Sequence, residues 1–314
     1  MQRPLILNLF FVLTVSLLLS ACSRQSIYDT AIGFERSTAG LEEDMVVLDN
    51  LEIAFLRNQQ AVDGDTIVMI HGFGANKDNW TRMAKHLTGD FNVYAIDLPG
   101  HGDSSKPQDI GYHFDEQTAR LEKILAALEL GPIHMMGNSM GGAITALYAA
   151  NYPDQILSAV LFDPAGIWAY DSDLSDQVIA GENPLIPTKE GDFERLIDFA
   201  LEKKPFVPWP IYSVMEEKAI ANKEINTAIF NDIRDSTMAS EFRQSITAIQ
   251  APVLIIWGKE DRITDPRNAE IFVQQIPDAR KVLLDGVGHA PMIEVPEESA
   301  SLFRHFLAEA VKTR

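Results

Sequence analysis

The chain has 314 residues, 46% of them hydrophobic, with 26 basic against 45 acidic side chains and a formal net charge of −19. This balance excludes nucleic acid as the main partner, since phosphate binding needs a basic patch. The length suits one large α/β domain, or a domain with an insertion, and the single cysteine, Cys22, excludes an intramolecular disulfide.

The first 22 residues differ in kind from the rest. Arg3 is the only charge before an apolar run from Leu5 to Leu19, which exits through Leu19-Ser20-Ala21-Cys22. A basic start, a short apolar core and a small-residue exit form a secretory signal. The run is short for a membrane span, which needs about 20 apolar residues. Leu-Ser-Ala-Cys resembles the bacterial lipobox, which implies cleavage after residue 21 and lipidation of Cys22. Ser23 behind it implies sorting to the outer membrane. Residues 22–44 are polar and mixed, and read as a tether.

From there the elements follow in order. Met45–Leu48 and Leu51–Leu56 read as two antiparallel strands with a turn at Asp49-Asn50. Thr66–Ile70 is a strand, followed by a glycine loop and a helix from about Asn79 to Leu87. Asn92–Ile96 is a strand ending at Asp97. Asp115 to Leu130 has helical spacing, with Leu121, Ile124, Leu125 and Leu128 on one face. Ile133–Met136 and Ser158–Phe162 are further strands, with a helix over Ala143–Ala150 between them. Continuous apolar strands alternating with helices predict a parallel sheet covered on both faces. The alternation lapses over 168–250. That stretch carries helical patterns near Phe193–Leu201 and Ile211–Ile220 and several prolines, and reads as an inserted helical cap. The sheet resumes at Val253–Trp257, then a helix over Asn268–Ile276, a strand over Lys281–Leu284 and a last helix from Pro296 to about Val311. The core is thus 45–167 with 251–314.

Gly137-Asn138-Ser139-Met140-Gly141-Gly142 lies between a strand and a helix. A G-x-S-x-G in that context is a nucleophile elbow: the serine sits on a sharp turn, proud of the sheet. Serine is a poor nucleophile until a base of near-neutral pKa takes its proton, so histidine is the first choice. An acid then holds the imidazole in its working tautomer. On such a sheet the order is Ser, acid, His. Of seven histidines, His289, in Gly286-Val287-Gly288-His289, alone lies in a loop after a strand and beyond Ser139. Asp261, after the strand Val253–Trp257, is the favoured acid. Asp163 stands second, and Glu260, Asp265 and Asp285 lie nearby in the sequence. Two oxyanion donors are needed. Met140 N–H at the new helix start supplies one, and Phe73 N–H in the loop His71-Gly72-Phe73-Gly74 is the natural second.

Taken together, His71–Trp80, Asp97-Leu98-Pro99-Gly100-His101-Gly102, the elbow, Trp257-Gly258-Lys259-Glu260-Asp261 and Gly288-His289 resemble the α/β-hydrolase superfamily. The closest likeness is to bacterial lipase-3-type esterases and animal monoacylglycerol lipases with an α/β-hydrolase domain, and Asn183-Pro184-Leu185-Ile186-Pro187 resembles the same branch. The resemblance implies a mostly parallel eight-stranded sheet with helices on both faces, a cap between the sixth and seventh strands, and a Ser139–Asp261–His289 triad. It also implies hydrolysis of acylglycerols or similar lipid esters, with no metal or organic cofactor. Asp97 and Pro99 look structural in that family.

Two other functions share these residues. The elbow also resembles that of carbon–carbon bond hydrolases acting on aromatic ring-fission products, although those are usually cytoplasmic and the lipoprotein signal argues against them. A non-catalytic binding lipoprotein is the other, but such proteins usually lose a triad member, and this chain has a candidate for every role. Dehalogenases and epoxide hydrolases of this fold carry Asp where Ser139 stands. In the cap, Trp168 and Pro205–Pro210 either line an acyl pocket or pack the cap onto the core.

Overall fold

The computed structural model describes residues 24–238 and 240–312. The signal segment and Cys22 lie outside them. Eight strands form one sheet: β1 (Leu41–Leu48), β2 (Leu51–Asn58), β3 (Thr66–Ile70), β4 (Asn92–Ile96), β5 (Ile133–Asn138), β6 (Ile156–Phe162), β7 (Val253–Gly258) and β8 (Ala279–Leu284). Their order is β1-β2-β4-β3-β5-β6-β7-β8. The β1–β2 and β2–β4 pairs are antiparallel and all the others parallel. The β1–β2 hairpin pairs Leu48 with Leu51, and Asp49 and Asn50 both have positive φ (49° and 67°). That is the two-residue turn whose twist matches the strands it joins.

Alternation along β3 shows why its run is uniformly apolar. Val68 and Ile70 enter one core, with Ile144 and Leu147 of the helix Met140–Asn151. Ile67 and Met69 enter the other, with Phe303 and Phe306 of the last helix, Pro296–Lys312. Both faces are buried, so each successive residue must be apolar. After β3 the chain moves outward to β4, then returns to the other side of β3 as β5. The carboxyl ends of β3 and β5 therefore flank a switch point, the place where an open α/β sheet leaves a crevice. The loop from His71 and the turn at Ser139 both start there.

The segment 22–44 is not a tether where it is described. Arg24–Thr38 is a helix and β1 starts at Leu41. The helix buries only Tyr28, so its sequence carries little apolar signal, and tertiary contacts hold it. Lys218 Nζ lies 4.5 Å over the Tyr28 ring. The Arg36 guanidinium grips both oxygens of Asp78 at 2.6 and 2.8 Å. Arg24 reaches Ser213 Oγ at 3.4 Å and Glu217 at 2.9 Å.

Two other expectations differ in detail. The helix expected over Asn79–Leu87 is a 3-10 turn, Lys77–Trp80, running into one short helical turn, Thr81–Ala84. The stretch between β6 and β7 holds helices at Asp173–Ile179, Asp192–Ala200, Trp209–Ala221, Lys223–Met238 and Glu241–Ser245, of which the sequence marked only the second and third. The helix Lys223–Met238 is lashed to the core where Asp232 accepts Tyr112 N–H at 2.7 Å and Ser236 Oγ accepts Phe114 N–H at 3.2 Å.

Candidate active site

Ser139 has φ 54° and ψ −117°, an uncommon conformation for a residue with a side chain. Such strain costs about 1–3 kcal/mol and persists only where the surroundings impose it. Here they do. A Cβ on Gly137 would lie 2.0 Å from Gly141 O, and one on Gly141 would lie 2.3 Å from Ile70 O. Only glycine fits either position. Ser139 N–H donates to Phe162 O at 2.9 Å, and its carbonyl accepts Ala143 and Ala165 N–H at 3.1 and 3.0 Å. Among buried neighbours on both sides, Ser139 remains partly exposed.

The loop after β3 lies against the serine. A Cβ on Gly72 would stand 3.3 Å from Ser139 Cβ and 3.0 Å from Asn138 Oδ1. Phe73 follows, its ring edge-on to Phe230 of the helix Lys223–Met238 at 5.6 Å and to His101 at 6.4 Å. Met140 opens the helix behind Ser139, so its N–H has no intrahelical acceptor and points where the helix dipole is positive.

A buried ion cluster fixes the far end of this loop. Lys77 is fully buried. Its Nζ lies 2.7 Å from Asp97, 2.6 Å from Asp103 and 2.9 Å from Glu43. Burial disfavours its charge, but Asp97 first, then Asp103, outweigh it and raise its pKa. Asp97 also accepts the backbone N–H of Lys77 at 2.6 Å and of Asp103 at 2.9 Å. His71 is pinned in one tautomer. Nδ1 donates to Gly72 O at 2.7 Å and Nε2 accepts Leu98 N–H at 3.1 Å.

His289 and Asp261 meet. His289 Nδ1 lies 2.8 Å from Asp261 Oδ2, so Nδ1 carries the proton and Nε2 is left as the acceptor. Asp261 is buried yet well supplied with donors. Oδ1 accepts Ile263 and Thr264 N–H at 2.8 and 3.1 Å. Oδ2 accepts Trp257 Nε1–H at 3.1 Å and Thr264 Oγ1–H at 2.7 Å beside the imidazole. This shell fixes the orientation of the carboxylate toward the imidazole. Asp163 is fully buried as well, with φ 45°. Its Oδ1 accepts Gly258 N–H at 2.8 Å. Burial first, then the Asp261 charge, pushes its carboxyl well above the usual carboxylate range. Asp265 is instead paired with Arg267, and Asp285 with Lys259. Glu260 accepts Val287 N–H at 3.0 Å.

Three polar side chains that join these pieces were not singled out from sequence. Asn138 Nδ2 donates to Phe162 O at 3.2 Å and to His289 O at 3.0 Å. It ties the elbow to the histidine loop. Thr264 bonds Asp261 and approaches His289 Nδ1 at 3.4 Å. Its signal is the D-x-x-T spacing from Asp261, a local side-chain-to-backbone turn. Glu294 accepts Gly288 N–H at 3.0 Å, Glu202 N–H at 2.9 Å and Lys203 N–H at 2.7 Å. With His289 N–H donating to Ala200 O at 2.8 Å, it latches the end of the helix Asp192–Ala200 onto the histidine loop.

Phe206 and Trp209 neither line a pocket nor pack the cap. They are 87% and 70% exposed. Trp168 is partly buried.

A model of the alpha/beta hydrolase fold family matches residues 65–296. Lipase 3 of Moraxella sp. (strain TA144) is 35% identical over 277 residues, covering 88% of this chain and 87% of that protein. Monoacylglycerol lipase ABHD6 of Bos taurus is 28% identical over 289 residues, covering 88% of this chain and 86% of that one. Among solved structures, a membrane phospholipase A described as a bacterial virulence factor superposes with a TM-score of 0.90 at 38% identity, covering 98% of this chain and 99% of that one. These matches favour neither the carbon–carbon bond hydrolase nor the non-catalytic lipoprotein. The glycine-enforced serine turn, the buried Asp–His pair and the sheet that holds them agree with these matches, and the chain belongs to the alpha/beta hydrolase fold family.

Proposed function

We propose that the chain is a serine hydrolase of lipid esters, of the lipase and monoacylglycerol lipase kind, working through Ser139, His289 and Asp261. The observation that carries this reading is the 2.8 Å contact between His289 Nδ1 and a buried, five-donor Asp261, together with a serine forced to positive φ at the end of β5. His289 Nε2 takes the proton of Ser139 Oγ as it attacks the ester carbonyl. The Phe73 and Met140 N–H groups receive the oxyanion. His289 then protonates the leaving alcohol, and a water activated by the same nitrogen releases the acid and restores Ser139. Asp261 holds the imidazole in its working tautomer and stabilises the imidazolium as it forms. Each proton moves between groups of the chain, the substrate and water, so the steps call for no cofactor.

A chain-length series of nitrophenyl esters beside mono- and triacylglycerols tests the substrate class. Preference for short or medium chains and for monoacylglycerol is expected. Hydrolysis of a dienoic ring-fission product without ester turnover would overturn the reading.

The protein works at a lipid surface, anchored through a lipidated Cys22 in the cell envelope, with the outer membrane as the expected site. The described chain starts at Arg24, two residues after Cys22. Arg24 is held by Ser213 and Glu217. Those residues lie on the helical stripe headed by Trp209, at i+4 and i+8. Arg24 thus lies on the side of the protein that carries exposed Trp209. Phe206 is three residues away, after Lys203 and Lys204, and aromatic residues with adjacent lysines suit a lipid–water boundary. Mass spectrometry of the mature N-terminus decides the anchor: a diacylglyceryl-modified Cys22 is expected, and a bare Cys22 would end the idea.

A further inference from the structure

One polar side chain of the cap stands beside the loop that follows β3 and has no role in the hydrolytic steps. Asn226, on the helix Lys223–Met238, is only 5% exposed. A Cβ on Gly74, which has φ 67°, would lie 4.0 Å from Asn226 Nδ2. One helical turn further on, Phe230 packs edge-on against Phe73 at 5.6 Å. This stretch of the helix therefore faces Phe73-Gly74, and the same loop lies against Ser139 through Gly72.

Packing does not account for an asparagine at this position. Ile225 and Ile229, beside it on the helix, are buried in the apolar core, and another apolar residue would join them without desolvating an amide. Anchoring does not account for it either, because Asp232 and Ser236 already tie the helix to Tyr112 and Phe114 N–H. Asparagine is a weak helix former, and burying its amide without a partner is costly. Its backbone N–H donates to Asn222 O at 2.9 Å, yet among the described residues nothing hydrogen-bonds its side chain. Nor is the amide sealed in, as Trp80 Nε1 and Thr145 Oγ1 are. It keeps access to the space beside the loop, with Oδ1 to accept and Nδ2 to donate.

We propose that Asn226 is a specificity-determining residue, whose side-chain amide hydrogen-bonds a free hydroxyl on the alcohol portion of the substrate, next to the ester. The inference rests on the reading of the chain as a Ser139 hydrolase of lipid esters. An acyl chain has no group to pair with an amide, so the amide serves the other half of the ester. A glyceryl hydroxyl both donates and accepts, and so satisfies both Oδ1 and Nδ2. A fully acylated glycerol has no donor for Oδ1, which makes a monoacylglycerol the better match.

The test compares kcat/KM on monobutyrin with kcat/KM on propyl butyrate, which keeps the three-carbon alcohol and lacks both hydroxyls. Both are soluble, and the full chain is measured beside Asn226→Leu, a change of similar size. The parent should favour monobutyrin by about tenfold, the scale of one hydrogen bond to a substrate hydroxyl. In Asn226→Leu the preference should shrink to within about twofold through a loss on monobutyrin, with propyl butyrate and a nitrophenyl ester within about threefold of the parent. An equal loss on all three esters would make Asn226 a mere support of the cap, and an unchanged preference would mean that its amide meets no hydroxyl. Either result would overturn the proposal. The parent gives a second readout that needs no variant: equal kcat/KM on monobutyrin and propyl butyrate would overturn it too. Failure of the underlying reading looks different: no ester is turned over, or turnover survives Ser139→Ala.

Discussion

The carboxyl end of the sheet and the cap above it are built on opposite terms. At the sheet end, Ser139, Asp163, Asp261 and His289 come from four separate loops, and their geometry is imposed by glycines no other residue can replace and by buried hydrogen bonds. In the cap, helices meet the core through polar latches, such as Asp232 to Tyr112 N–H and Glu294 to Glu202 and Lys203 N–H, beside a few buried apolar side chains, among them Ile225, Ile229 and Phe242, while Phe206 and Trp209 face solvent. The first arrangement fixes chemistry, and the second leaves room for substrate choice and movement. Substitutions should therefore separate the two regions by size and kind of effect.

The largest effect belongs to the elbow. Ser139→Ala should cut ester turnover by about 10⁴–10⁶-fold while leaving the melting temperature near that of the parent. Reaction with a fluorophosphonate probe should vanish with it. Turnover persisting at parental level would remove Ser139 from the mechanism and the sheet end from its special status.

Next comes the ion cluster behind the loop that follows β3. Gly102 has φ 50°, and a Cβ there would stand 2.1 Å from Asp97 Oδ2. Gly102→Ala forces Asp97 off Lys77, so a stability loss of about 2–4 kcal/mol is expected, read as a lower melting temperature. An unchanged melt would show that the cluster yields easily. The same region sets an acid limit. Burial keeps His71 and His101 neutral, with pKa values below the usual 6.5, His101 well below. Below that ordinary value the unfolded chain binds protons that the folded chain refuses. Stability is thus fully present above about pH 6.5 and falls as pH drops, by up to ~1.4 kcal/mol per unit for each histidine. His101→Asn should flatten that decline; an identical pH slope in parent and variant would remove His101 from it.

A smaller effect probes the join between the regions. Glu294→Gln replaces one of two oxygens that between them accept Gly288, Glu202 and Lys203 N–H. Loosening the His289 loop should lower kcat/KM on a soluble ester by about tenfold, the scale of one charged hydrogen bond. Activity equal to the parent would mean that cap and histidine loop are independent.

How far the sequence could be read follows the same division. The central strands β3, β5, β6 and β7 were legible because burial on both faces demands apolar runs, the first two because their residues alternate, and the elbow because glycine is sterically required at Gly137 and Gly141. His289 and Asp261 followed from chain order once the sheet was in place. Asn138, Thr264 and Glu294 were not legible, since one asparagine, threonine or glutamate looks like any other until the loops it joins are brought together. The helix Arg24–Thr38 was hidden because it rests on Tyr28 and on contacts of arginine and lysine side chains rather than on an apolar stripe. The helix Lys223–Met238 was hidden by its polar residues, though Ile225 and Ile229 are buried. Ile229 would lie only 2.7 Å from a Cβ on Gly100, a contact no local pattern announces.

The smallest effect on stability should come from the most conspicuous side chains of the cap. Phe206 and Trp209 stand so far into solvent that truncating them removes almost no folded-state packing. Phe206→Ala with Trp209→Ala should shift stability by under about 0.5 kcal/mol and leave soluble-ester turnover unchanged. On vesicles of zwitterionic phospholipid carrying monoacylglycerol, the same pair should matter, because burying each ring in lipid gains roughly 1.5–3 kcal/mol. Trp209 can report on itself: Trp80 and Trp257 are fully buried and Trp168 partly so, while Trp209 is the most exposed of the four, so the emission change on adding vesicles should come largely from Trp209 and shrink in Trp209→Phe. If the double variant turns over soluble and vesicle-borne substrate alike, the exposed aromatics belong to some other contact. If it loses both equally, the cap is as tightly coupled to the chemistry as the sheet end, and the division between the two regions fails.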